Sequence, residues 1–434
     1  MKKKISEMPI EKVYIVVLAV LGFLYMIFMP PFRVSDEYRH FNRAYEVTMG
    51  QIISLEEVPG GSKELADGEA TYQRVWDNRQ INMQEDRAKE DWAVASSYSP
   101  VSYLPASVGI AIARLFTENM LILVYIARIC SFACTLWILY KTVKYMPFGK
   151  NLIIAITLLP ITIQEFATLS SDSMVIALTL AVISFTFYER KKSQEQPASC
   201  MTWTEIAAMF LMAVMLGQCK YIYVFLTAIY LLIPRERFGG MKQKLIYAIT
   251  LIFTTCVTMA MWLLATGVVK FGGSVATVGN EGESISFVTI IIRTFLYNMK
   301  LYVASATADS LGDLNIHPPK LVVVVFLLIL IYVVIAERKN TNELKWPVRL
   351  LFLGIVLLEM AALLYTFKGY VNADERMIIG IQGRYFTPML APLSMGLTLT
   401  NSKFQCPKIR EKYLTAFIGV MNLVVVYTVF AVCR

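Results

Sequence analysis

The stretch VYIVVLAVLGFLYMIFM, residues 13–29, runs without a break into PPFRVSDEYRHFNRAY, residues 30–45. The first part is an uncharged apolar run about as long as a helix needs to cross a hydrocarbon core of roughly 30 Å. The second part turns abruptly to charge. Lys2, Lys3 and Lys4 precede the run as they would in a secretory leader, but Met29-Pro30-Pro31-Phe32 offers no small-residue cleavage site. The segment therefore reads as a retained first span that delivers a charged loop to a membrane surface.

Runs of the same kind recur along the 434 residues, of which 56% are hydrophobic and only 17% charged, with a mean hydropathy of +0.55. Soluble domains carry about 25% charged residues, so a soluble enzyme is excluded. The net charge of +9 would fit a nucleic-acid partner if the basic residues formed one patch. They sit between the spans instead, and no nucleic acid is expected. Seven cysteines lie scattered without metal-ligand spacing, Cys130 and Cys134 one turn apart in an apolar run. Neither a disulfide framework nor a zinc site is indicated.

Cytoplasmic loops are enriched in Lys and Arg, so orientation can be read from the termini and short connections. One side collects Lys2, Lys3, Lys4 and Lys12; Lys141, Lys144 and Lys150; Arg190, Lys191 and Lys192; Arg235, Arg237, Lys242 and Lys244. It continues with Arg338, Lys339, Lys345 and Arg349, then Lys403, Lys408, Arg410 and Lys412. The short pieces of the other side hold only Lys220, Lys368, Arg376, Arg384 and Arg434. This partition predicts an all-α, multi-pass transmembrane bundle of about eleven spans. They fall near 12–29, 120–140, 151–168, 173–189, 203–219, 221–234, 245–268, 320–336, 348–367, 386–400 and 414–432. The chain is expected in the plasma membrane, with a cytoplasmic N-terminus and an extracytoplasmic C-terminus.

Residues 1–434 thus form a single membrane domain with two long outer loops, 30–119 and 269–319. The first is rich in acids and is expected to hold interfacial helices. The second contains the glycine-rich pieces Gly272-Gly273-Ser274 and Gly279-Asn280-Glu281-Gly282. Two further apolar segments, 101–116 and 287–308, are expected to dip into or lie on the outer leaflet, since letting both cross would place the basic residues from Lys141 to Lys244 outside. Pro105 and Gly109 break the first; Arg293 and Lys300 mark one face of the second, as in an interfacial helix. No internal repeat or matching pair of Gly/Pro-broken spans is visible, which counts against an inverted-repeat transporter.

The charged run after the first span carries the first candidate site. Ser35 is a suitable N-cap, followed by acids that complement the helix dipole. A helix from there would place Tyr38, Phe41, Tyr45 and Thr48 on a membrane-hugging stripe, and Asp36, His40 and Arg43 on another. Asp36 and Glu37 could merely favour the helix N-terminus, with the basic residues against lipid headgroups. They could instead supply a general base for an acceptor hydroxyl, with or without a divalent cation such as Mg or Mn.

Further along, Asp172 begins a descending span and Glu165 lies about two turns earlier, where charge is costly. Asp172 could be a plain N-cap and Glu165 a paired packing residue. Lys220, in Cys219-Lys220-Tyr221, and Arg384, in Gln382-Gly383-Arg384-Tyr385, sit near the outer ends of spans. Singly they fit interfacial snorkelling beside an aromatic belt; together they suit an anionic lipid or its phosphate.

The motifs at residues 30–45, Tyr98-Ser99-Pro100-Val101-Ser102-Tyr103-Leu104-Pro105, 160–172, Lys220-Tyr221 and Gln382-Gly383-Arg384-Tyr385 occur in this order across nearly the whole chain. Together they resemble a bacterial family of polytopic membrane proteins of unknown function that is itself similar to the GT-C superfamily of glycosyltransferases. The resemblance implies sugar transfer from a polyprenyl-phosphate donor, at the outer membrane face, to a glycan, teichoic acid or protein acceptor. Asp36 then matches the first-loop acid expected to act as general base, with Glu37 beside it. Asp172 resembles the second outer acid that positions an acceptor or metal. Arg384 or Lys220 would hold the lipid phosphate, with His40, Arg43, Gln382 and Tyr385 as further substrate contacts. Where the family often shows Gly-Trp-Leu-Asp, this chain reads Leu311-Gly312-Asp313-Leu314-Asn315, without the Trp and with Asn315 in place of the acid. Two other classes share these residues: a flippase or exporter of lipid-linked saccharides, and a non-catalytic membrane scaffold. Convergence of Asp36, Asp172 and Arg384 on one outer cavity discriminates the transferase from the scaffold.

Overall fold

A computed structural model describes residues 7–54, 57–66, 68–83, 87–89, 98–267, 286–336, 344–372, 376–398 and 409–434. The first lysines, the glycine-rich pieces of the second loop, and Arg338, Lys339, Lys403 and Lys408 fall outside these residues. The helices are α1 (Ile10–Phe28), α2 (Glu37–Thr48), α3 (Gly60–Ala66), α4 (Tyr72–Asp77), α5 (Leu104–Ala113), α6 (Met120–Tyr145), α7 (Lys150–Thr157) and α8 (Pro160–Ala167). They continue as α9 (Ser171–Glu195), α10 (Trp203–Cys219), α11 (Met241–Ala265), α12 (Phe287–Ser305), α13 (Lys320–Ala336), α14 (Trp346–Thr366), α15 (Leu390–Leu397) and α16 (Glu411–Cys433). Two short antiparallel pairs, Glu57–Pro59 with Arg87–Lys89 and Val371–Asn372 with Met377–Ile378, are the strands among the described residues.

Seven of these helices (α1, α6, α9, α11, α12, α14 and α16) are long and apolar enough to cross a membrane; α7 and α8, bent by 67°, make an eighth if they form one span. The other expected spans take different forms. Helices α10 and α13 have 17 residues each, and Tyr221–Leu232 winds as a 3-10 helix. The greater rise of that winding, about 2.0 Å per residue, stretches its 12 residues further than an α-helix would. The expected span at 386–400 is divided between a 3-10 turn, Gly383–Met389, and α15, with Pro388 inside the turn.

The bend in the α7–α8 pair has a sequence cause. Pro160 stands at the first position of α8 and forces Leu159 into an extended conformation. The break frees backbone groups that must find partners where water is absent. Asn422 of α16 donates to the Leu158 carbonyl at 2.9 Å and accepts from the Tyr25 hydroxyl at 3.1 Å, while the Ile161 N–H donates to the Thr307 carbonyl at 3.2 Å. Close approach of α1 to α6 needs Gly22, whose absent Cβ would lie 2.1 Å from the Phe132 ring.

The two ends of the bundle differ. At one end Arg237 is fully buried, donating to Glu189 at 2.7 Å and Glu205 at 3.2 Å, with Lys192 donating to Glu205 at 2.6 Å and Lys150 4.0 Å from Glu11. Connections that the charge count assigned to one side meet here. At the other end the first loop builds a cap with its own apolar core, in which Phe41, Ala44 and Tyr45 of α2 pack on Ile110 of α5 and on Leu123 and Val124 of α6.

Phe41 and Tyr45 are therefore buried inside the cap, where the sequence pattern had set them on a membrane-hugging stripe. Burial against α5 wins because α2 is covered on nearly every side. Helix α5, with 10 residues, packs along α6, where a Cβ at Gly109 would lie 2.7 Å from the Cys130 sulfur. Helix α12 is long enough to cross; Lys368 lies 5.5 Å from the Phe287 ring, Thr294 accepts from Ile378 N–H at 2.9 Å, and Ser305 abuts Gly383. Its start, middle and end thus contact the segments around Lys368, Ile378 and Gly383.

Candidate functional site

Helix α2 begins one residue later than the sequence suggests. Asp36, in the left-handed conformation at φ +67°, occupies the N-cap position, and the Ser35 hydroxyl instead bonds the Asp313 carboxylate. The loop after α12 takes Ser35 away: the Ser35 N–H donates to Gly312 O at 3.4 Å, and Gly312 N–H donates to the Gln164 side chain at 2.8 Å. A non-glycine residue at positive φ is uncommon and concentrates at functional sites. Here it turns the Asp36 carboxylate toward the middle of the bundle.

Arg384 is the hub of the cluster that results. It donates to Asp36 at 2.5 Å and to the Ser35 carbonyl at 3.0 Å, and lies 3.7 Å from Glu165 and 3.9 Å from Asp172. Its position depends on Gly383, where a Cβ would lie 2.2 Å from the Ser305 hydroxyl and 2.4 Å from backbone at residue 306. Lys220, at the end of α10, donates directly to Asp172 and stands over the rings of Tyr385 at 4.8 Å and Tyr98 at 5.6 Å. His40 stacks on Tyr98 at 6.2 Å and shares a 2.7 Å hydrogen bond with the Tyr103 hydroxyl. Arg39 reaches Asp36 from the exposed side at 3.3 Å.

Asp36, His40, Asp172, Lys220, Arg384 and Tyr385 thus line one small cavity of about 20 Å³, with Arg39 and Tyr98. Gln382 lines an adjoining cavity with Gln164 and Ser310, and Arg384 belongs to both. Glu37 and Arg43 lie elsewhere. Glu37 is fully buried against Arg128, and Arg43 bonds Glu46 at 3.2 Å and the carbonyls of Tyr98 and Gln51, tying the first loop to α2. Three members were not singled out as site residues from the sequence. Tyr98 was visible within the Tyr-Ser-Pro motif, Glu165 as a costly intramembrane charge, and Arg39 carried no signal of its own.

Electrostatics separates the titratable groups. Burial pushes Asp36 up, but Arg384, then His40 and Arg39, outweigh it and hold the carboxyl below its usual range. Burial pushes His40 down to about 4 against the pull of Asp36, so the imidazole is neutral at pH 7. Lys220, though buried, is held up by Asp172 and stays charged, and burial raises the Tyr98 phenol. Arg384 and Lys220 thus face the acidic side chains Asp36, Asp172 and Glu165, with a neutral imidazole beside them.

No group of three His, Cys, Asp or Glu side chains suited to a metal ion occurs among the described residues. Asp36 and Asp172 already face Arg384 and Lys220, a donor set that does not fit the divalent cation considered from the sequence. What the arrangement suits is anion exchange: an incoming phosphate can replace a carboxylate on a guanidinium bidentately and on an ammonium as a point charge.

The fold and this cluster define a multi-pass helical membrane protein with a charged pocket at one end of the bundle. The chain belongs to the DUF2142 family, described as predicted membrane proteins, whose model matches residues 19–393. No curated protein and no solved structure matches the chain.

Proposed function

We propose that the protein is a glycosyltransferase of the GT-C type, moving a sugar from a polyprenyl-phosphate donor to an extracytoplasmic acceptor in cell-envelope glycan assembly. The observation that carries this reading is the meeting of Asp36, Asp172, Lys220 and Arg384, from four separate segments, in one cavity at the capped end. The bias of basic residues toward the opposite end supports placing that cavity outside, with the N-terminus cytoplasmic and the C-terminus extracytoplasmic.

The donor is a phosphodiester and its leaving group a phosphomonoester, so negative charge grows on phosphate as the bond breaks. Arg384 and Lys220 stabilise that charge. As phosphate takes up Arg384, Asp36 loses the partner that lowers its pKa and becomes a stronger base. Asp36 then accepts the proton of the acceptor hydroxyl, whose oxygen bonds to the anomeric carbon. The sugar–phosphate C–O bond breaks, and its electron pair leaves with the polyprenyl phosphate, giving inversion. At about 20 Å³ the cavity holds no sugar, so the ion pairs must part for the donor to enter. The isoprenoid tail stays in the bilayer throughout. Acceptor choice among glycan, teichoic acid and protein belongs to the cap.

The test is reconstituted full-length protein offered a panel of radiolabelled polyprenyl-phosphate sugars with cell-envelope acceptors. Label leaving the lipid in wild type and staying on it in Asp36→Asn supports the reading. Movement of intact labelled lipid across the bilayer without loss of sugar would favour the flippase instead.

A further inference from the structure

A second site lies at the opposite end of the bundle, far from the acidic cavity and independent of its reading. Helix α9 forms the floor of a lipid-facing groove of about 510 Å³, walled by α6 and α10. The floor is kept low by Ala181 and Ser184, and the walls carry Trp137 and Leu211, 63% and 60% exposed. Along α6 the groove runs from Cys134 to Tyr145, about 16 Å at the rise of an α-helix. That is the depth of one leaflet of a hydrocarbon core of about 30 Å.

The groove opens at Tyr145 and Tyr188 into a polar pocket of about 360 Å³, lined by Lys144, Lys150, Lys191 and Lys192 and by Glu195, which lies 3.4 Å from Lys191, while Glu11 and Glu205 reach Lys150 and Lys192 from beyond the lining. Lys141 stands at the junction, 5.9 Å from both the Trp137 and Tyr145 rings. An apolar trough one leaflet deep, an aromatic collar and a basic pocket at headgroup level occur in register on one face. Basic pockets between spans recognise anionic headgroups, and aromatic residues sit at that level.

We propose that this face binds one anionic phospholipid from the leaflet on that side, its phosphate among Lys144, Lys150 and Lys191 and an acyl chain in the α6–α9–α10 groove. Charge complementarity selects a lipid with a net negative headgroup over a zwitterionic one.

The experiment uses the full chain in phosphatidylcholine vesicles containing acyl-brominated phosphatidylglycerol or acyl-brominated phosphatidylcholine. The readout is quenching of Trp137, taken as the difference between wild type and Trp137→Phe. The anionic lipid should reach half-quenching at a mole fraction at least about fivefold lower than the zwitterionic lipid, the factor that about 1 kcal/mol per basic residue near an anionic surface implies. The Lys144→Gln/Lys191→Gln protein should lose that preference while phosphatidylcholine quenches it as in wild type, which shows that it is folded. Equal quenching of wild type by the two lipids, or an undiminished preference in the folded double variant, would overturn the assignment.

Discussion

Asp36 and Glu37 are neighbours in sequence and opposites in setting. Glu37 is fully buried and closed: its two oxygens accept from Arg128 at 2.7 Å each, and also from the N–H groups of Phe32 at 2.9 Å and Leu169 at 3.1 Å. Arg128 spends its remaining donors on the carbonyls of Met26, Met29 and Pro30. Nothing in that pair is left for a ligand. Asp36 is one-third exposed, faces a cavity, and shares Arg384 with Asp172 and Glu165. One acid fastens the end of α1 to α6; the other lines a cavity and shares its cation. The comparison teaches that a saturated ion pair reads as architecture, whereas a shared cation beside a cavity reads as chemistry.

The largest expected effect falls on the closed pair. Glu37→Gln leaves the Arg128 charge buried without its carboxylate and should cost about 3–5 kcal/mol, seen as a lowered thermal midpoint of the purified protein. Asp36 is one-third exposed and bound to an Arg384 that keeps Glu165 and Asp172 nearby, so Asp36→Asn should lower that midpoint less than Glu37→Gln does and reduce sugar transfer by about 100-fold or more, the scale of a lost general base. A protein in which the two substitutions exchanged these effects would reverse the comparison.

His40 gives a pH signature to the open region. Its pKa falls from 6.5 to about 4 on folding, so between those values the unfolded chain binds a proton that the folded one refuses. Stability is complete above about pH 6.5 and declines as pH falls toward about 4. His40→Gln should flatten the dependence of the thermal midpoint on pH over that interval, and an unchanged slope would place the titrating group elsewhere. The smallest effect is expected at Arg39, whose 3.3 Å contact with Asp36 is largely solvated. Arg39→Ala should change stability by less than about 1 kcal/mol and transfer by less than about fivefold, on the same assays.

Much of this was legible in the sequence, because apolar runs and lysine-rich connections obey rules that need no partner. The separation of the chain's basic connections from Asp36, Asp172, Lys220 and Arg384 could be read in that way. Pairings across long stretches of chain could not: Arg128 is 91 residues from Glu37, and nothing local marks it as that acid's partner. Grouping Asp36 with Glu37 failed to separate them spatially because successive residues at a helix start point about 100° apart. Grouping Asp36 with Arg43 overlooked that seven residues of helix span about 10 Å, which carries the guanidinium away to the first loop. The 3-10 winding of Tyr221–Leu232 was equally hidden, since its composition suits a short α-helix; the Glu359 carboxylate accepts from Leu226 N–H at 3.1 Å within that stretch.

The central claim is that residues 36 and 384 meet in one pocket open to the exterior. Its most direct test places cysteines at both positions in a cysteine-free protein, in intact cells, and adds a short membrane-impermeant bifunctional thiol reagent. Cross-linking of the two positions from outside is the predicted result. Labelling of the two cysteines from opposite faces of the membrane would contradict the account.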